Sequence, residues 1–187
     1  MKNILIGSVI SSQIVLKEMI QQGFPIDAVF SLDEKYSDNV SGYYPIHETA
    51  EKNNIPYKKF KKISDIENIN LVRKIKPDYI FVIGLSQMVS TDIIEGASKG
   101  VVGFHPTPLP KFRGRAAMVW QVLLGVHETK CTLFMIDQGM DSGDILGQEP
   151  YLIEDTDYAV DVERKLCEAL QRLTPNPVGE CRSLVQN

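Results

Sequence analysis

Cysteine is scarce in this sequence, with three in 187 residues. Cys131, Cys167 and Cys181 are odd in number and show no CxxC spacing. That excludes a disulfide framework and a zinc-ligand pattern, and it fits a reduced, cytoplasmic compartment. Positive charge is not in excess either. The 20 Lys and Arg are outnumbered by 24 Asp and Glu, for a net charge of −4. Without a broad cationic field, a nucleic-acid partner held by bulk electrostatics is not expected. Long hydrophobic runs are missing. The longest, Tyr79 to Leu85, falls far short of the roughly 20 residues a membrane-spanning helix needs. Ile4 to Ile6 is cut off by Gly7-Ser8, which leaves no signal-peptide core. There is also no Gly-x-Gly-x-x-Gly spacing and no P-loop lysine, so neither standard nucleotide fingerprint is present.

What remains is ordinary for a folded, soluble domain, at 43% hydrophobic and 24% charged. Strand and helix signals alternate along the chain. Asn3 to Ile6 reads as a strand, followed by a helix that Ser11-Ser12 can cap and that runs to Gln22 before Gly23. Asp27 to Ser31 is a second strand, Leu32 to Tyr44 a polar loop, Ile46 to Asn53 a short helix, and Pro56 to Lys58 the start of a weak strand. A helix over Asp65 to Lys74 precedes Tyr79 to Ile83, a continuous apolar run suited to a central parallel strand. Thr91 to Ala97 is a short helix and Gly100 to His105 a strand. Ala116 to Leu124 is a helix, Thr132 to Ile136 and Ile145 to Ile153 are strands, and Asp157 to Leu173 is a final helix. This alternation predicts an α/β fold with a mostly parallel twisted sheet flanked by helices. It spans residues 1–173 as one domain, with an irregular tail over 174–187.

Several residues invite chemical readings. Ser8, Ser11 and Ser12 sit in the first strand-to-helix turn, where backbone N–H groups and hydroxyls can meet a phosphate; a capped helix explains them equally well. The run Lys58-Lys59-Phe60-Lys61-Lys62 reads as a solvated face. His47 and His127 read as surface residues without ligand-spaced partners, so no metal site is expected. His105 is different. It ends a predicted parallel strand, where open α/β sheets place their ligand crevice, and Pro106, Pro108 and Pro110 hold the following backbone extended. Asp141 lies in the glycine-flanked loop Gly139 to Gly143. An imidazole and a carboxylate brought together at one sheet edge make a general acid–base pair, although from spacing alone a histidine at a strand end and an aspartate in a turn are structural more often than catalytic.

Two segments carry more than spacing. Gly103-Phe104-His105-Pro106-Thr107-Pro108-Leu109-Pro110-Lys111-Phe112-Arg113-Gly114, followed by Trp120, is one. Thr132 through Ile145, which includes Asp137-Gln138-Gly139-Met140-Asp141-Ser142-Gly143, is the other. Together they resemble the folate-dependent formyltransferases, a family that includes glycinamide ribonucleotide transformylase, methionyl-tRNA formyltransferase and the sugar N-formyltransferases. The resemblance implies a Rossmann-like fold and 10-formyltetrahydrofolate as co-substrate, with no metal. It places His105 and Asp141 at the catalytic histidine and aspartate, with protonated His105 hydrogen-bonding the developing oxyanion. It places the pterin against Ser86, Gln87, Met88 and Val89 and against Ile136, Asp137, Gln138, Gly139, Met140 and Asp141. The family asparagine falls at Gly103, which has no side chain, and Gln87, Ser86 or a backbone N–H is left to supply a donor in its place.

The resemblance implies a small-molecule amine as acceptor. The run Arg113-Gly114-Arg115-Ala116 with Trp120, and the polar loop before Tyr43-Tyr44, look most like the sugar N-formyltransferases, whose acceptors are nucleotide-linked amino sugars. Arg115 is placed to meet a phosphate or carboxylate, and an exposed tyrosine of Tyr43-Tyr44 to stack on a base or sugar; a surface arginine and a core-facing aromatic pair explain them equally well. No membrane partner is implied, and a homodimer is left open. A 10-formyltetrahydrofolate hydrolase and a non-catalytic folate- or nucleotide-binding relative are the alternative readings; Gly103 motivates the second.

Overall fold

The computed structural model describes residues 1–174; the tail expected over 174–187 therefore lies outside the described residues except for Thr174. Seven strands lie in the order β3-β2-β1-β4-β5-β6-β7. The chain divides into two compact units between Val102 and Gly103, within β5.

The first unit contains β1 (Asn3–Gly7), α1 (Ile10–Gln21), β2 (Ala28–Leu32), α2 (Ile46–Lys52), β3 (Tyr57–Phe60), α3 (Ile66–Ile75), β4 (Tyr79–Ile83) and α4 (Thr91–Ile94). β1 pairs in parallel with both β2 and β4, and β2 with β3. Every residue of β1, β2 and β4 is buried. These strands therefore read as continuous apolar runs rather than alternating ones. Leu16 and Met19 of α1 and Val72 of α3 are buried with them. The segment read as a loop over Leu32 to Tyr44 holds one turn of 3-10 helix, Glu34–Tyr36. Its Asp33 side chain accepts from the Lys35 N–H.

The first turn depends on close approach. α1 begins at Ile10, one residue before the serines expected to cap it, and Val9 is its N-cap residue. Ser12 instead caps from within: its Oγ accepts from the N–H groups of Ser8 and Val9 at 3.1 and 3.3 Å and donates to the Ile83 carbonyl at 2.6 Å. A Cβ on Gly7 would run into the Ser12 side chain and lie 2.7 Å from the Ile83 carbonyl. Gly84, at φ +59°, has its own missing Cβ replaced by the side chains of Val9 and Ser11. Both glycines are thus fixed by the space between the ends of β1 and β4.

His47, expected at the surface, is buried instead. α2 turns it inward, with Nδ1 3.4 Å from Ser31 Oγ and its ring tilted against Tyr57. A short helix packed on β2 has one inward face, and Ile46, His47 and Ala50 share it.

The second unit contains β5 (Gly100–His105) from Gly103 onward, α5 (Ala117–Leu123), β6 (Glu128–Met135), β7 (Ile145–Leu152) and α6 (Ala159–Leu173). β6 starts four residues before the Thr132 expected from hydropathy, because it pairs antiparallel with β7 from Glu128↔Leu152 onward. An antiparallel ladder can carry solvent-facing Glu128 and Lys130 between buried Thr129 and Cys131. α6 begins after Asp157, whose carboxylate accepts from the Glu154 N–H at 2.8 Å and pairs with Lys165 at 2.8 Å. These partners hold the Asp157 carboxyl below the usual range, the backbone N–H contributing most. Burial pushes the Cys131 thiol up to about 12, so it stays protonated and unreactive.

The Gly7 contact gives a direct test. Gly7→Ala is expected to force β1 and α1 apart at a cost of about 1–3 kcal/mol. That corresponds to a drop in Tm of roughly 2–4 °C per kcal/mol for a chain of this size, measured by thermal unfolding followed by circular dichroism.

Candidate active site

His105 ends β5 and is buried, and the loop after it doubles back over its ring. Within that loop Leu109-Pro110 is cis, Phe112 adopts φ +57° and Gly114 φ +92°. The left-handed turn at Phe112 aims its carbonyl at the imidazole, and His105 Nε2 lies 2.8 Å from that oxygen. A carbonyl oxygen only accepts, so Nε2 carries the hydrogen and donates. This fixes the ring's orientation and leaves Nδ1 as its working nitrogen. Nδ1 faces Asp141 Oδ2 at 3.7 Å, too far for a direct hydrogen bond. The ring nitrogen and the carboxylate therefore border the same point without being consumed by each other.

Asp141 is presented by a tight knot of chain. Asp137 Oδ1 accepts from the Gly139 N–H at 2.9 Å and from the Ser142 hydroxyl at 2.8 Å. These donors, and the positive charge of Arg113, keep the Asp137 carboxyl below the usual range. Met135 N–H donates to the Asp144 carbonyl at 2.8 Å. A Cβ on Gly143 would overlap the Met135 carbonyl, and one on Gly139 would overlap Ser142. At the top of this knot Asp141 sits at φ +48°. Its Oδ2 accepts from the Gly114 N–H at 2.8 Å, which ties the two loops together beside His105.

A layer of polar side chains beneath the proline loop was not singled out in the sequence. Thr107 donates to the carbonyls of Lys111 and Phe112 at 2.9 and 3.3 Å. Thr132 donates to the Thr107 carbonyl at 2.7 Å and accepts from the Leu109 N–H at 3.3 Å. Gln148 donates to the Leu109 carbonyl at 2.9 Å. Gln121 and Tyr151 both donate to the Pro106 carbonyl, at 3.0 and 2.9 Å. Proline has no N–H to give, so a loop with three prolines leaves carbonyls that only side chains can satisfy. That excess of acceptors is the sequence signal that points to such a layer.

The remaining candidates divide. Arg113 and Arg115 are exposed on either side of Gly114. Ile136 is half-buried, while Asp137 through Met140 are exposed. In the first unit Ser8 and Ser12 are fully buried and their hydroxyls donate to the Gly84 and Ile83 carbonyls. They brace the turn rather than offer themselves to a phosphate. Gln87, considered as a substitute donor, spends its amide on its own unit: its oxygen accepts from the Ile63 N–H and its nitrogen donates to the Lys61 carbonyl, both at 2.8 Å. It lines a cavity of about 400 Å³ with Tyr36, Lys61, Lys62, Ser64 and Met88. Tyr43 is half-buried, with its hydroxyl donating to the Leu32 carbonyl at 3.1 Å; Tyr44 is half-buried too. Both lie between the two readings of the pair, an exposed stacking residue and a core-facing one.

Gly103 is filled from outside. A Cβ there would lie 2.8 Å from Ile136 Cγ1 and 2.9 Å from two ring carbons of Phe134. The volume a side chain at 103 would need is occupied by these two residues.

The chain is similar to known proteins. A methionyl-tRNA formyltransferase from Lactobacillus johnsonii is 33% identical over 156 residues, covering 82% of this chain and 50% of that protein. One from Clostridium tetani is 31% identical over 157 residues, with the same coverage. The chain thus spans about half the length of these curated relatives. Among solved structures, a phosphoribosylglycinamide formyltransferase from Bacillus halodurans superimposes with a TM-score of 0.81 at 20% identity, covering 100% of this chain and 98% of that one. An N-formyltransferase from Helicobacter canadensis, in complex with folinic acid and dTDP-3-aminofucose, gives 0.74 at 20% identity and covers 98% and 65%. At such identities the superpositions speak to the Rossmann-like fold. The family model described as formyl transferase matches residues 6–178, nearly the whole chain, and the chain belongs to that family.

Proposed function

We propose that the chain transfers a formyl group from 10-formyltetrahydrofolate to the free amine of a nucleotide-linked amino sugar. The observation that carries the reaction is the uncommitted Nδ1 of His105 facing Asp141 across 3.7 Å. The formyl donor supplies an electrophilic carbonyl carbon and a nitrogen leaving group. Ile136 and Met140 offer apolar contact, and the exposed backbone of Asp137 to Gly139 offers hydrogen bonds, a combination suited to a flat heteroaromatic ring.

His105, protonated on Nδ1, donates to the formyl oxygen as the acceptor nitrogen bonds to the carbon and charge gathers on that oxygen. The Phe112 carbonyl holds the ring still while it does so, so little reorganisation is needed. Asp141 stabilises the imidazolium and accepts, directly or through one water, the proton that the attacking amine sheds. When the carbon–nitrogen bond to the donor breaks, that proton goes to the departing nitrogen, and the acceptor keeps the formyl group in exchange for one hydrogen.

For the acceptor, the support is the exposed pair Arg113 and Arg115 beside the site loop and the absence of a cationic surplus, at net −4. Two guanidinium groups suit a diphosphate linkage, whereas a tRNA calls for a broader positive field. The Helicobacter canadensis N-formyltransferase, solved in complex with folinic acid and dTDP-3-aminofucose, supports this reading. Mass spectrometry of reactions containing 10-formyltetrahydrofolate and a panel of nucleotide amino sugars should show one formyl gained on the free amine, with N-acetylated sugars inert. A higher kcat/KM for methionyl-tRNA or glycinamide ribonucleotide overturns the assignment. Water as the sole acceptor would mark a hydrolase.

Two substitutions test the chemistry. His105→Ala and Asp141→Asn are each expected to lower kcat by about two to three orders of magnitude, with folate affinity retained in equilibrium titration. Near-normal turnover in either removes this mechanism.

Gly103 calls for a paired experiment. Gly103→Asn restores the residue type seen in the family but must displace Phe134 and Ile136, at a cost of about 1–3 kcal/mol. Gly103→Asn combined with Phe134→Ala is expected to cost less than the sum of the two single changes, as a double-mutant cycle of thermal unfolding checks. If the single variant is as stable as the parent chain, the crowding argument fails.

A further inference from the structure

The outer face of α5 inverts the pattern that governs the rest of the fold. Its buried positions are Ala117 and Gln121, one small and one polar. Its exposed positions are Val119, Trp120, Val122 and Leu123, joined by Leu124 at the cap, with Trp120 at 56% and Leu123 at 69% exposure. At 3.6 residues per turn, Val119 and Leu123 stack one turn apart, with Val122 and Trp120 on either side. The solvent side is therefore wholly apolar. Gln121 cannot trade places with them, because it is bonded inward at both ends. Its amide nitrogen reaches the Pro106 carbonyl, and its oxygen accepts from the Thr129 hydroxyl.

Five such side chains at these exposures present on the order of 500 Å² of apolar surface, near the upper end of what monomers leave open. We infer that a second copy of this chain covers this face, α5 against α5 across a two-fold axis. A standard interface buries about 800 Å² per partner, and the interfaces of homodimers are about 65% apolar, which amounts to about 500 Å². The patch is of that size. It is also self-compatible. No charged residue lies between Arg115 and His127, so two copies bring no like charges together at the centre, as an isologous contact requires. A lipid surface fits less well, because the seven-residue helix has no Lys or Arg face to sit at headgroup level. Gln121 also links the contact to the site: the carbonyl it holds belongs to Pro106, the residue after His105.

Trp120 is the single tryptophan of the chain, so its fluorescence reports on this patch alone. Light scattering over a dilution series is expected to give twice the 21.0 kDa chain mass at high concentration. Trp120 emission should be blue-shifted there and move to the red as the mass halves. Leu123→Arg and, as a second variant, Val119→Arg should stay at 21.0 kDa with red-shifted emission and an unchanged far-ultraviolet circular dichroism spectrum. Ile66→Arg, at another exposed apolar residue, should leave the dimer intact. A monomer at every concentration overturns the inference. So does a dimer that survives both α5 variants, a Trp120 emission that does not follow the mass, or a blue shift seen only with anionic phosphatidylserine vesicles.

Discussion

One carbonyl oxygen organises the candidate site. The bond from His105 Nε2 to the Phe112 oxygen, 2.8 Å long, settles which ring nitrogen is held and which is available. A neutral imidazole free to rotate would present either nitrogen; this one presents Nδ1. For that oxygen to point inward Phe112 must adopt φ +57°, a conformation costing a phenylalanine about 1–2 kcal/mol. Such strain persists only where the surroundings over-determine it. Thr107 supplies part of that constraint by sharing the same oxygen.

The polar layer under the proline loop supplies the rest. Thr132, Gln148, Gln121 and Tyr151 come from β6, β7 and α5, and all converge on carbonyls of residues 106–109. Burial pushes the Tyr151 hydroxyl up to about 12, so it remains a donor across the ordinary pH range. Leaving any one of these carbonyls unpaired costs about 1–3 kcal/mol. The antiparallel β6–β7 pair is thus more than an addition to a parallel sheet: it is the platform that lets a donor-poor loop hold one fixed shape.

Much of this was legible in the sequence, for identifiable reasons. The runs Tyr79 to Ile83 and Gly100 to His105 match β4 and β5 to the residue, because a strand buried on both faces needs an unbroken apolar stretch and Gly84 ends the first. The family resemblance, more than the strand end and the glycine-flanked loop, pairs His105 with Asp141, and their side chains lie 3.7 Å apart. Boundaries set by partners were not legible. β6 begins at Glu128 because β7 pairs with it there, and no local pattern announces that. His47 was read as exposed because its position on the inward side of α2 depends on where β2 runs. Nor does hydropathy reveal that Gln87 is bonded at both ends to the segment around Lys61 and Ile63.

Gly103 shows why a missing side chain is not always a missing part. The family resemblance places an asparagine at this position. Here Phe134 and Ile136 take up its volume, at 2.9 and 2.8 Å from where a Cβ would stand. The three residues form one packing unit, since restoring the amide without trimming the ring overfills the space. Under the proposed reaction, the exchange also changes what would surround the formyl oxygen. An amide dipole gives way to an aromatic edge and an aliphatic branch, both of low polarity. Losing one donor raises a barrier by about 3 kcal/mol. A less polar wall recovers part of that by strengthening the remaining charge-assisted bond from His105, because electrostatic interactions grow as the local dielectric falls. Under the proposed mechanism, one neutral amide donor and one imidazolium would give way to the imidazolium alone. The firm anchoring of His105 through Phe112 is then what the absent amide makes necessary.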